Sequence, residues 1–74
     1  VEAFSGGKMK YQVGDLFIDL SQRNFIVIDI YEPDGFDPNT YYRVWVSPDE
    51  VEDVYTENSL NELVAENQFL YYSG

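Results

Sequence analysis

Apolar and polar positions alternate along the middle of the chain. Arg23-Asn-Phe-Ile-Val-Ile-Asp-Ile-Tyr31 and Thr40-Tyr-Tyr-Arg-Val-Trp-Val-Ser47 are dense in β-branched and aromatic residues, which suit a pleated, half-buried surface. Between them lies Glu32-Pro-Asp-Gly-Phe-Asp-Pro-Asn39, whose Pro, Gly, Asp and Asn each favour chain reversal. The pattern therefore predicts a central hairpin. Taking every second residue, Ile26, Ile28 and Ile30 fall on one face, and Tyr42, Val44 and Val46 are expected to share that core.

The flanking segments extend the pattern. Tyr11–Leu20 reads as a first strand in which Leu16, Ile18 and Leu20 alternate with Asp15, Phe17 and Asp19. Ser21–Asn24 is a short turn, and Pro48 at the next reversal cannot donate to a ladder. Val51–Thr56 is a more polar strand and so belongs nearer an edge. Then the period changes. Ser59-Leu-Asn-Glu62 matches a capping box, Leu60, Leu63 and Val64 form an apolar helical stripe, and Asn67 suits a left-handed helix end. Gln68–Tyr72 is expected to be a last strand that closes the sheet. Residues 1–10 read as an N-terminal extension, with Met9 as the expected native start, and residues 11–74 as one domain.

These elements predict a mainly β fold: a five-stranded antiparallel barrel with one short helix near the C-terminus. Val13-Gly14-Asp15-Leu16-Phe17 resembles the Gly-Asp-hydrophobic opening of SH3-like barrels of the Tudor and KOW kind, and the later strands and helical turn follow their order. Leu60–Tyr72 also resembles small barrel proteins encoded by tailed phages. The resemblance to Tudor domains implies aromatic walls that hold a methylated cation. The loop Glu32–Asn39 is longer than a tight hairpin, and the basic residues of nucleic-acid-binding KOW domains are missing.

Charge narrows the choice of function. Fourteen acidic residues face four basic ones, a net charge of −10, which repels nucleic acid and anionic membrane surfaces. No apolar run approaches the roughly 18–20 residues of a membrane span. No cofactor is implied. The chain has neither His nor Cys, the residues that most often supply general bases, thiolate nucleophiles and metal ligands. Absence of Cys fits a reducing compartment, and a cytoplasmic location is the expectation. Glu32, Asp34, Asp37 and Asn39 offer hard oxygen ligands without the spacing of a calcium-binding loop. A hydrated turn is the expected role of that loop.

What remains is a non-enzymatic binding or assembly module for a protein or peptide. Alternation places Phe25, Val27, Tyr31, Tyr41 and Trp45 opposite the expected core face, with Phe17 and Tyr55 near them. The expected contact residues are Phe25, Tyr31, Tyr41 and Trp45, with Phe36 in the loop and Asp29 and Asp53 as acidic neighbours. Two other readings stand beside this one. Asp49, Glu50, Glu52, Asp53 and Glu57, with Glu62 and Glu66 beyond them, form an acidic tract that would mimic nucleic acid toward a basic protein. The aromatics would alternatively be buried between copies of a homo-oligomer.

Overall fold

The computed structural model describes residues 11–73. The expected extension over residues 1–10, with its start at Met9, lies outside them. Six elements follow one another: β1 (Leu16–Asp19), β2 (Asn24–Tyr31), β3 (Tyr41–Ser47), β4 (Val51–Thr56), α1 (Glu57–Ala65) and β5 (Phe69–Tyr72). The strands make one antiparallel sheet in the order β4-β3-β2-β1-β5.

The sheet is open, which corrects the expected SH3-like barrel and the closing role given to the last strand. β5 has only four residues, all paired with β1 from Leu16↔Tyr72 to Asp19↔Phe69. No ladder joins β5 to β4 among the described residues. The chain passes between these two edges through α1, which packs against both. The edges meet through side chains instead: the rings of Tyr55 in β4 and Phe69 in β5 lie 6.0 Å apart. Strand twist coils the sheet far enough for this contact without pairing its ends.

The core lies on the face that α1 covers. Tyr11, Phe17, Phe25, Val27, Tyr42, Val44, Val46, Leu60 and Phe69 are buried there, and Ile30, Tyr55, Leu63 and Val64 pack around them. Rings do much of the filling. Phe25 and Phe69 stand 4.8 Å apart, and Tyr11 meets Phe17 edge-on at 5.0 Å, geometries that add to the area buried.

Strand β3 faces as the alternation predicts, with Tyr42, Val44 and Val46 inward. Strand β2 does not. Phe25 and Val27 point to the core, opposite Val46 and Val44, while Ile26 sits across from Trp45 on the other face. The register against β3 then shifts between Val27 and Asp29. This bulge leaves Ile28 without a cross-strand partner and returns Ile30 to the core side, opposite Tyr42. Of the three isoleucines expected inside, Ile30 alone packs on the core cluster. Strand β1 shows the same inversion: Phe17 is fully buried, and Leu16 and Ile18 are half-buried on the opposite face. In both strands the aromatic ring takes the interior, since it removes the larger apolar area from water.

The helix also begins earlier than the capping box implied. Thr56, the last residue of β4, is the N-cap, and its hydroxyl accepts from the Ser59 N–H at 3.1 Å. Ser59 therefore sits inside the first turn. The C-terminal end matches the expectation. Asn67 adopts φ 62°, and Asn67 and Gln68 donate to the carbonyls of Val64 and Leu63, a Schellman closure. Leu60 is fully buried and holds this nine-residue helix to the sheet, since so short a helix is marginal alone.

Candidate functional site

On the face of the sheet opposite α1, several large apolar side chains remain uncovered. Cross-strand register places Glu52, Trp45, Ile26, Leu16 and Tyr72 in one row from edge to edge. A second row runs through Ser47, Asn24, Ile18 and Leu70. Trp45 is 38% exposed, Ile26 40%, Tyr72 49% and Leu70 55%. With half-buried Leu16 and Ile18 of β1 between them, these four residues of β3, β2 and β5 form a continuous, partly wet surface. In a two-layer protein such a face ordinarily meets a covering element.

Toward the long loop, the same face becomes polar. Asp29 stands across from Arg43, and Tyr31 across from Tyr41. The Arg43 Nε lies 3.6 Å from Glu52 Oε1, too far for a hydrogen bond, and it has no hydrogen-bond partner among the described residues. Tyr41 leans to the loop, where its hydroxyl donates to Asp37 Oδ2 at 2.6 Å. That bond, with the Asn39 N–H, holds the Asp37 carboxyl below the usual carboxylate range. The same bond, donated to Asp37, raises the Tyr41 hydroxyl above the usual tyrosine range.

The loop from 32 to 40 shapes itself with its own carboxylates. Asp34 Oδ1 accepts from the N–H groups of Phe36 and Asp37, each at 2.8 Å, an arrangement typical of Asx turns. Phe36 is carried at the tip, 99% exposed. Among the described residues, no three Asp or Glu are grouped to hold a metal ion.

The structure divides the expected contact residues. Trp45, Tyr41, Tyr31 and Asp29 share the outer face, and Phe36 lies exposed in the β2–β3 loop. Phe25 lies in the core at 3% exposure. Asp53 pairs with Val44 and so lies on the α1 side of edge strand β4. Val27, which alternation assigns to the contact face, and Phe17, expected near it, belong to the core, and Tyr55, also expected near that face, packs against the core. Ile26, Leu16, Ile18, Leu70 and Tyr72 were not among the expected contact residues. Their signal in the sequence is the lack of alternation in Leu-Phe-Ile, Phe-Ile-Val-Ile and Phe-Leu-Tyr-Tyr, where both faces are apolar.

The remaining polar clusters tie elements together. A shallow cleft between α1 and β5 is lined by Tyr11, Asn61, Val64, Ala65 and Tyr71. There the Tyr11 hydroxyl donates to Asn61 Oδ1, and the Tyr71 hydroxyl donates to buried Asp15, each at 2.7 Å. Burial above all, then the bond to Asp15 and its charge, pushes the Tyr71 hydroxyl up to about 12. The Tyr42 hydroxyl donates to Glu57 Oε1 at 2.9 Å and so joins β3 to the first turn of α1. Beside the Arg23 bonds, burial would raise the Asp19 carboxyl, yet the backbone and side-chain hydrogen bonds from Arg23 outweigh it and hold that carboxyl low. Among the described residues no helix is long and apolar enough to cross a membrane. Comparison with protein-family models, with curated proteins and with solved structures gives no match in any of the three, so the tailed-phage likeness drawn on Leu60–Tyr72 loses its support.

Proposed function

We propose that this domain is a non-enzymatic binding module that engages a protein or peptide through the outer face of its sheet. One observation carries the reading: the row Trp45–Ile26–Leu16–Tyr72 is partly exposed while α1 covers the opposite face. Contiguous apolar surface of this kind marks interaction sites. Trp and Tyr make effective anchors because a rigid ring buries much area at little entropic cost. The tyrosine hydroxyls and carboxylates described above are engaged in tying loops, strands and helix to one another, which supports a scaffold role for them over chemistry.

The test is capture from cell lysate on immobilised protein, comparing the wild type with the double variant Ile26→Thr, Tyr72→Thr. Threonine keeps the strand propensity of both positions and removes apolar area. The expected result is a loss of captured protein of about tenfold or more, as for removal of two interface anchors, with the melting transition retained. Identical capture by both proteins would overturn the reading.

A further inference from the structure

We infer that the outer face takes a basic segment of another protein, with a few apolar side chains in its middle and Lys or Arg at both ends. The inference rests on the binding reading above and adds the chemistry of the partner. Two placements carry it. The apolar row crosses the middle strands through Trp45, Ile26 and Leu16. Acidic groups stand at both ends of those strands: Glu32, Asp34 and Asp37 in the β2–β3 loop, and Asp49 and Glu50 in the β3–β4 turn. A segment lying along the strands therefore meets acid, then apolar surface, then acid. The eight residues of β2 span roughly 26 Å at strand rise, which about eight extended residues of a partner would cover.

Charge selects this occupant over a second copy. Residues 11–73 carry thirteen Asp and Glu against two Arg. Both arginines already face carboxylates: Arg23 binds Asp19 at 2.9 Å and Asp49 at 3.2 Å, and Arg43 lies 3.6 Å from Glu52. Two copies pressed face to face would set acidic strand ends against acidic strand ends. A segment with basic ends instead meets an attractive field, which speeds encounter and disfavours wrong partners.

The probes are four synthetic peptides of one length, titrated calorimetrically into the whole protein. Their centres are Leu-Val-Phe or Ser-Ser-Ser, and their flanks are Lys or Glu. The Lys-flanked apolar peptide is expected to bind about tenfold or more tighter than each of the others. Its affinity should fall several-fold as salt shortens the Debye length from about 30 Å to about 10 Å. It should also fall about tenfold in the Ile26→Thr, Tyr72→Thr variant. No binding of that peptide would overturn the inference. Equal binding of the Lys-flanked serine peptide would reduce the effect to charge alone, and equal binding of the Glu-flanked apolar peptide would remove charge from it, so either also overturns it. A concentration-dependent dimer in light scattering at low salt, lost in the same variant, would assign the face to a second copy. Should the peptides fail while lysate capture still depends on Ile26 and Tyr72, only the partner chemistry falls. Should capture be indifferent as well, the binding reading falls with it.

Discussion

Replacing Phe17 with Ala is expected to leave the domain largely unfolded. The Phe17 ring is fully buried and sits 5.0 Å from Tyr11, 5.3 Å from Tyr71 and 5.7 Å from Phe69. Its backbone pairs with both Phe25 and Tyr71, so the cavity would open where three strands meet. Truncation of a buried Phe costs about 3–5 kcal/mol. The single core of a chain this short rarely supplies more than about 3–5 kcal/mol, so the loss removes most or all of its stability. Urea unfolding followed by circular dichroism measures it. A loss under about 1 kcal/mol would show that the ring cluster is not the centre of the core.

The second large effect separates two neighbours. Val27→Asn should destabilise by about 3–5 kcal/mol, from lost apolar burial and an amide buried without a partner. Val27 is 1% exposed between Phe25 and the bulge. Ile26→Asn, one residue earlier, should cost about 1 kcal/mol, because Ile26 is 40% exposed on the outer face. Unfolding midpoints of the two variants decide the matter. The reverse order would mean that β2 faces the other way and that the outer row does not exist.

That comparison also shows what the residues alone reveal. The five strands, their antiparallel hairpins, the edge position of β4 and the Asn67 helix end follow from local chemistry: β-branched runs, turn residues, and a backbone that tolerates positive φ. Facing is harder. In Tyr41–Ser47 the polar Arg43 and Ser47 mark one side, and alternation assigns the core correctly. In Phe25–Ile28 every residue is apolar, so a period of two fits both choices, and only packing against Phe17 and Phe69 selects Phe25. The bulge at Ile28 adds a shift that no side chain announces. Closure depends on backbone pairing between segments far apart in the chain, which composition does not encode, so an open sheet and a barrel share one hydrophobic pattern. The contact surface inherits these limits. Trp45, Tyr41, Tyr31 and Asp29 fall on the outer face because β3 is legible and β2 regains the expected facing after its bulge. Phe25 does not, because its strand is apolar on both sides.

A docking surface must be open to solvent in the free protein and covered when the partner binds. Trp45 is the sole tryptophan of the chain and lies in the apolar row of the outer face, beside Ile26, so its fluorescence reports on the face alone. In dilute free protein the emission should be that of a partly hydrated indole, readily quenched by acrylamide. Saturation with the Lys-flanked apolar peptide should shift it to shorter wavelength and protect it from quenching. Emission already protected in the dilute free protein, or left unchanged by a partner that binds, would contradict the account.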